Sequence, residues 1–350
     1  MTANRGKRCV TLDLRKPEAV DVLKHMAKHS DVLVQNFRPG VAERLGISYD
    51  DMKAVNEELV YLSISGYGPS GPYSEAKVYD FIIQAQSGVG EIMRDENGGP
   101  TQFHNLMMDK VTALNASQSI TAALLAVSRG RGGQHIELAM LDAAVHFLFP
   151  DGKWNQVWQQ SDGTPLTIPV EWANGHRRTE YDCADGKVAC TYAWDQFVDR
   201  QDPPGTRLRN FLMELGGIDV DEFMEEGWVY EEDWLQVFEK SGDRMRAAVA
   251  KKTCAEMFEL AMKYQVPCGR FLEGQDVFSD PQIQHNGTIL PQEHPVGGAF
   301  VTPRPPAQFH GTPSAVGAPA SLLGTETDEV LAEFGYTEAE VAAMRGGGVV

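Results

Sequence analysis

The sequence predicts an α/β protein: a large domain built on a parallel sheet, a smaller α+β domain after it, and a C-terminal tail that packs back. Three observations predict this. Strand-like and helix-like segments alternate through the first part of the chain, a stretch of Trp, Gln, Pro and Gly without a period follows, and a Pro- and Gly-rich region ends in two helical patterns too regular to be disordered. At 350 residues there is room for two domains of ordinary size, and 42% hydrophobic with 23% charged residues is an ordinary globular composition.

Residues 9–14 alternate like a strand. Pro17 stands at a helix start, and Val20, Leu23 and Met26 recur at helical spacing as far as His29. Residues 31–34 form a short buried strand that Asn36, Phe37, Arg38, Pro39 and Gly40 break; a helical stretch at 49–55 and a strand at 59–64 follow. In such a sheet ligands gather at the carboxyl ends of the strands, which makes Asn36, Phe37 and the loop after Ile64 site candidates. That loop, from Gly66 through Gly68 to Gly71, matches the letters of a dinucleotide fingerprint without its physics. The third glycine would have to open a helix whose free N–H groups hold a pyrophosphate. Pro69 and Pro72 remove donors, and the chain stays loop-like to about Lys77, so the segment is read as a turn-rich loop.

The next helix is marked by Val111, Leu114, Ile120 and Leu124 with small residues between, and Asp109 stands at its start. An acid there can be a cap that also feels the positive end of the helix. A second reading comes from its neighbours: Lys77 and the Tyr79–Asp80 pair upstream, the Gly-rich approach from Glu96 to Pro100, and the apolar Leu106, Met107 and Met108. A carboxylate in apolar company at a helix end suits a covalent nucleophile for an electrophile that is already activated. Gly130 and its neighbours end this helix as a C-cap and turn. Residues 135–139 alternate as a strand and 141–149 form an apolar helix, after which 154–181, with Trp154, Trp158 and Trp172, reads as a connection between domains. The second unit, about 180–285, shows a strand at 187–192 and helices at 208–215, 234–238 and 255–264; its acids between Asp221 and Asp233 read as a solvated face. Helical patterns at 326–334 and 338–345 close the chain.

A net charge of −18 argues against nucleic acid or an anionic membrane as partner, because phosphate contacts need clustered Lys and Arg. The five cysteines, Cys9, Cys183, Cys190, Cys254 and Cys268, have no metal-ligand spacing, so no metal site is expected; the pattern fits reduced thiols in a cytoplasmic protein. The opening residues are basic without the apolar core of a signal peptide, and no run approaches the ~20 apolar residues of a membrane helix.

Ordered matches run along nearly the whole chain: NRGKR at Asn4, VTLDL at Val10, DVLVQNFRPGVAERLG at Asp31, YLSISGYGPSGPY at Tyr61, YDFIIQAQSG at Tyr79, the Asp109 segment, GRGGQHIELAMLDA at Gly130, VPCG at Val266, DPQI at Asp280 and TDEVLAEFGY at Thr327. On these the sequence resembles the class III coenzyme A transferases, the family that includes formyl-CoA transferase and carnitine CoA-transferase and has the α-methylacyl-CoA racemases as relatives. The resemblance implies a Rossmann-like large domain over 1–165, a linker and small α+β domain over 166–285, and a return segment over 286–350 that packs on the large domain. It implies no permanently bound cofactor, an acyl-CoA and a carboxylic acid as substrates, and an interlocked homodimer. Asp109 matches the aspartate that attacks the thioester, giving first a mixed anhydride and then an enzyme–CoA thioester. Leu12, Asn36, Phe37, Arg44 and Lys77 match CoA contacts, and Tyr79 lies near the reactive end.

Racemases of this resemblance place a histidine at position 79; a phenol is a poor base near neutral pH, so transfer is favoured over epimerisation of a 2-methylacyl-CoA. Family members usually carry a further strand-helix-strand before NRGKR, so a non-catalytic CoA-binding subunit is a third reading. No GGGG loop of the formyl-CoA transferase kind occurs, Asn174-Gly175-His176 being the nearest stretch, and the donor and acceptor are left open. Arg177, Arg178 and Arg270 are candidates for meeting a substrate carboxylate.

Overall fold

The computed structural model describes residues 2–93, 95, 97–152, 157–166, 179–190, 206–223 and 234–350. The chain divides into two compact units, Met1–Asn174 with Leu290–Val350, and Gly175–Ile289.

In the first unit β1 (Val32–Gln35), β2 (Val60–Ser65) and β3 (His135–Ala139) form a parallel sheet in the order β1-β2-β3. The central strand opens with Val60, Tyr61 and Leu62, all buried, as a parallel strand covered on both faces requires. Register sets Gln35 beside Ser63 and Ser63 beside Glu137, so the three share one face of the sheet.

Helix α1 (Pro17–Lys28) begins on its proline, and α2 (Val41–Arg44) and α3 (Tyr49–Lys53) lead to β2. A reciprocal capping box between Ser48 and Asp51 starts α3. Between β2 and β3 lie α4 (Asp80–Ser87), α5 (Val89–Ile92) and α6 (Met107–Ser128), and α7 (Met140–Gly152) follows β3. The short strands β4 (Trp158–Gln159) and β5 (Pro165–Leu166) pair antiparallel.

Three expectations are corrected, and two helices that the sequence reading left unmarked are added. Residues 9–14 form no strand, because their backbone is held by the C-terminal segment: Cys9 N–H donates to the Glu326 carboxylate at 2.9 Å, Thr11 N–H to Thr327 Oγ1 at 3.1 Å and Asp13 N–H to the Val349 carbonyl at 2.9 Å. Helices α4 and α5 were not marked by periodicity. Asp109 lies inside the first turn of α6, whose N-cap position is Leu106, and so is not itself the cap. Helix α6, 22 residues long and without a charged side chain past Lys110, is long and apolar enough to cross a membrane by length and composition alone. In this fold it lies against α4, α7, β2 and β3.

The turn-rich loop is as the proline argument requires. No helix follows Gly71; α4 starts only at Asp80. Gly66 is there for close packing, since a Cβ would come within 2.0 Å of Val78 Cγ1, and Gly68 and Gly71 hold φ of +101° and +102°.

The return segment contributes a hairpin and two helices to the first unit's part of the chain. Strands β9 (Ile289–His294) and β10 (Gly298–Pro303) pair with each other, and α13 (Thr327–Glu333) and α14 (Glu338–Gly346) end the fold; these helices are numbered after those of the second unit. Leu331 and Val341 pack on Val22 of α1, and Arg8 grips Glu333 in a two-pronged ion pair at 2.6 and 2.8 Å.

In the second unit β6 (Glu180–Cys183), β7 (Gly186–Cys190) and β8 (Cys268–Arg270) form an antiparallel sheet in the order β6-β7-β8. Helices α8 (Thr206–Gly216), α9 (Trp234–Val249) and α10 (Cys254–Tyr264) pack on it around Val188, Phe211, Leu212, Met245 and Met257, and short helices α11 (Asp276–Ser279) and α12 (Pro281–His285) follow. Helix α9 runs well past the 234–238 read from the sequence. Tyr192, Trp154, Trp172 and most of the acidic stretch between Asp221 and Asp233 lie outside the described residues.

Candidate active site

Two features of the first unit carry the candidate functional side chains. The first is the junction of α4 and α6. The backbone of Tyr79 is extended and its carbonyl caps the start of α4, accepting from the N–H groups of Ile82 (3.0 Å) and Ile83 (3.3 Å). Its ring is 77% exposed. Asp80, the first residue of that helix, is 2% exposed and bonds both within its own helix and to α6. One of its carboxylate oxygens accepts the N–H of Asp109 at 2.8 Å, and the other accepts from the Gln84 side-chain amide.

Gln84, one turn further on and 0% exposed, is used completely. Its amide also donates to the Asn105 carbonyl at 2.9 Å, and its Oε1 accepts the Phe103 N–H at 2.8 Å. Asp80 therefore caps α6 from a neighbouring helix, while Gln84 ties down the loop that leads into it. Buried amides and carboxylates are tolerated when every such group is paired, and these pairings converge on the backbone that carries Asp109.

Asp109 itself is exposed. Partial burial of its carboxyl, first, and the Asp80 charge, second, raise its pKa above the ordinary carboxylate value, with Lys110 acting in the opposite sense. A carboxylate held in this way is more basic and less solvated than a free surface Asp, which suits attack on an activated carbonyl.

The second feature is a cleft of about 130 Å³ over the carboxyl ends of β1 and β2. Gln35, Phe37, Arg38, Ser63, His135 and Glu137 line it. A polar chain crosses its floor: Phe37 N–H donates to Gln35 Oε1 (2.7 Å), Gln35 Nε2 donates to Ser63 Oγ (2.9 Å), and Ser63 Oγ bonds His135 Nε2 (2.9 Å). The His135 ring stacks on Tyr49 with centroids 4.9 Å apart. Gly40, φ +78°, lines the cleft with so little room that a Cβ would stand 3.3 Å from an Arg44 guanidinium nitrogen.

Of the residues singled out from sequence, Phe37 lines the cleft, Asn36 follows Gln35 at its edge and is exposed, and Arg44 folds over Gly40. Lys77 and Tyr79 are exposed on the approach to α4. Leu12 does not line the cleft; it is half-buried against the Val22, Leu331 and Val341 cluster. Arg270, in the second unit, pairs with Asp276 at 3.1 Å. Arg177, Arg178, Glu96 and the Asn174-Gly175-His176 stretch lie outside the described residues. Sequence reasoning missed Gln84, Gln35, Ser63 and His135. The period-two spacing of Ser63 with Ser65 and of His135 with Glu137 was a signal that polar residues share one sheet face; the role of Gln84 had none. Among the described residues no group of three or more His, Cys, Asp or Glu side chains is arranged to hold a metal ion.

Comparison with known proteins defines the class. Residues 1–327 match the family described as CoA-transferase family III. The chain belongs to CoA-transferase family III, whose named relatives are enzymes. It is 26% identical to a formyl-CoA:oxalate CoA-transferase of Rhodopseudomonas palustris (strain TIE-1), covering 99% of this chain and 83% of that one. It is 29% identical to a succinate–glutarate CoA-transferase of Agrobacterium fabrum, covering 95% and 79%. Among solved structures it is similar to a CaiB/BaiF family protein from Brucella suis, with a TM-score of 0.75, 23% identity and coverage of 95% and 82%. That similarity supports the mixed α/β fold with a parallel sheet.

Proposed function

We propose that this enzyme transfers coenzyme A from an acyl-CoA to a carboxylic acid, with the Asp109 carboxylate as covalent nucleophile. The observation that carries the reading is the α4–α6 junction. Two buried side chains, Asp80 and Gln84, are spent on holding the backbone at and before Asp109, while the Asp109 carboxylate is left exposed with a raised pKa.

In the proposed sequence an Asp109 oxygen attacks the thioester carbonyl, and collapse of the tetrahedral oxyanion breaks the C–S bond, leaving an aspartyl–acyl anhydride and CoA thiolate. The thiolate then attacks the aspartyl carbonyl and expels the donor acid as carboxylate, so that CoA is held on Asp109 as a thioester. The acceptor carboxylate attacks that thioester, forming a second anhydride and freeing the thiolate again. The thiolate takes the acceptor acyl group, and Asp109 returns as carboxylate. Each intermediate retains the activation of the starting thioester, so no external energy source enters. The cleft beside Phe37 and Arg44, with Asn36 at its edge and Lys77 on the approach to α4, is the proposed CoA-binding region; Leu12, packed on the Val22, Leu331 and Val341 cluster, is left out of it, and Tyr79 is placed by this reading beside the reactive end. The exposed phenol at position 79 supports transfer over epimerisation, since it is a poor base near neutral pH.

The proposed assembly is an interlocked homodimer. The apolar exposed side chains of α6 and α7, Leu114, Leu125, Phe147 and Phe149, support a face covered by another subunit. A monomer in light scattering counts against it.

The test is incubation with formyl-, succinyl- and glutaryl-CoA, with oxalate, succinate or glutarate as acceptor, followed by intact mass and peptide mapping. The expected result is a CoA adduct on Asp109 with at least one donor. An adduct on another residue, or transfer by Asp109→Ala at the wild-type rate, refutes the mechanism. Exchange of an α-proton with deuterated solvent without any acceptor acid would assign an epimerase instead.

A further inference from the structure

Four of the five cysteines fall in the second unit, and the fold arranges them in facing pairs on and beneath one sheet. Cys190 on β7 and Cys268 on β8 are directly opposed in the antiparallel ladder. The phase of that ladder follows from one bond: Phe271 N–H donates to the Lys187 carbonyl at 2.9 Å, which makes Lys187 and Phe271 a hydrogen-bonded pair. Alternation then makes Ala189 and Gly269 the next bonded pair and leaves Cys190 and Cys268 at a non-hydrogen-bonded position. The N–H of Cys190 agrees, because it points away from β8 and donates to the Thr179 carbonyl at 2.7 Å.

Opposed residues at such a position have Cα atoms ~4.5 Å apart and side chains on the same face, inside the ~4.4–6.8 Å range over which a disulfide closes. No backbone movement is needed. The second pair is different in kind: Cys183 ends β6, while Cys254 opens α10 with its N–H bound to Asp185 at 2.7 Å, so the two belong to a strand and a helix and not to one ladder.

Accessibility separates the members of the ladder pair. Cys190 is 1% exposed, in the core with Val188 and Met257, whereas Cys268 is half-buried at the margin of that core. The two sulfurs face each other across the ladder, and that contact holds the Cys268 pKa down and pushes that of Cys190 up. The reachable sulfur is thus the one with more thiolate character, and the hidden one stands directly behind it.

We infer that Cys190 and Cys268 form an oxidisable dithiol, a modification site at which a hydroperoxide converts the pair into a disulfide bridging β7 and β8. The Cys268 thiolate attacks one peroxide oxygen, the O–O bond breaks, and hydrogen peroxide yields a Cys268 sulfenic acid and hydroxide. The Cys190 sulfur displaces the sulfenic hydroxyl, forming the S–S bond while its proton leaves with that hydroxyl as water. The proton first lost by Cys268 neutralises the hydroxide. Two thiols and one hydrogen peroxide give one disulfide and two waters. The bridge ties the edge strand β8 to β7 across the intervening helices α8, α9 and α10, so oxidation stiffens the small unit without involving Asp109.

The experiment treats the intact native protein with hydrogen peroxide, blocks remaining thiols with N-ethylmaleimide, and maps peptides without reduction. The expected product is a peptide joining Cys190 to Cys268, lighter by two hydrogens than its reduced parts and lost on treatment with dithiothreitol. Cys190→Ala should instead accumulate a Cys268 sulfenic acid that dimedone captures, and Cys254→Ala should bridge like the wild type. Should Cys190→Ala fail to fold, the wild-type map decides alone. A Cys268 that stays a free thiol, one that passes to sulfonic acid with no 190–268 peptide, or a bridge that joins Cys183 to Cys254 instead overturns the proposal.

Discussion

The α4–α6 junction of the first unit and the helix-covered sheet of the second bury different chemistry. At the junction Asp80 and Gln84 are sealed in, and their polar atoms meet backbone groups at Phe103, Asn105 and Asp109. Under the sheet of the second unit the core is Val188, Phe211, Leu212, Met245 and Met257 with the thiols of Cys190 and Cys254 inside it and those of Cys183 and Cys268 at its margin, and a buried polar side chain there, Ser241, has no partner for its hydroxyl among the described residues. Apolar packing is non-directional and stabilises whatever shape fills the space. A buried carboxylate costs desolvation that only well-aimed hydrogen bonds offset, so it is retained where the aim matters. The contrast separates a region built to hold one backbone segment still from a region built to stay folded.

The comparison breaks most decisively at Asp109. Replacement by Ala should lower CoA transfer by at least about 10³-fold with an unchanged unfolding midpoint, because the side chain is exposed and makes no core contact. Steady-state transfer beside a thermal melt checks both halves. In the second unit the reverse is expected: Phe211→Ala should destabilise by ~3–5 kcal/mol, read by denaturant unfolding, since a fully buried ring leaves a cavity.

Asp80→Asn tests the junction itself. One of its two acceptor oxygens becomes an NH₂, which must face either the Asp109 N–H or the Gln84 amide, donor against donor. A loss of ~10²-fold in kcat is expected from misplacement of the proposed nucleophile. The pH profile distinguishes this from general damage. The pKa of Asp109 is raised, so in the wild type the acidic limb of kcat/KM should lie above the ordinary 3.8, activity falling as the carboxylate is protonated. Burial persists in Asp80→Asn but the neighbouring charge is gone, so the limb should move to lower pH. A limb that moves up, or stays, contradicts the role given to Asp80.

Smaller effects sharpen the contrast. Ser241→Ala should stabilise the second unit by ~1 kcal/mol, as a buried unsatisfied hydroxyl is removed. Tyr79→Phe should slow transfer by no more than about tenfold, the worth of one hydrogen bond, if the phenol orients substrate without transferring a proton. A larger loss would make its hydroxyl part of the chemistry.

How much was legible in the sequence follows from how local each signal is. Helix α1 from its proline, β1 and β2 from short apolar runs, and β3 at 135–139 were all read from patterns carried by neighbouring residues. The alternation at 9–14 obeyed the same rule and misled, since a period of two reports an extended backbone but not what it bonds to; here Glu326, Thr327 and Val349 take the donors. Helix α4 escaped because its apolar spacing is interrupted by Gln84, Gln86 and Ser87, and Gln84 is buried through hydrogen bonds instead of apolarity; α5, at four residues, is too short to show a helical period. Locally Asp109 reads first as a helix cap, with the nucleophile as the second reading its neighbours allow, and its order among the family's matching segments is what favours the second.

By itself, then, the sequence determined the alternating α/β framework, the family, and the residue type at position 109, because hydrophobic period and ordered motifs are properties of the chain as text. The tertiary structure decided that Asp80 reaches from α4 to the amide of Asp109, that Gln35, Ser63 and His135 form one polar line across three strands, and that Cys190 faces Cys268. Each of those is a contact between residues far apart along the chain. Its geometry is set by strand register and helix packing, which no local pattern contains.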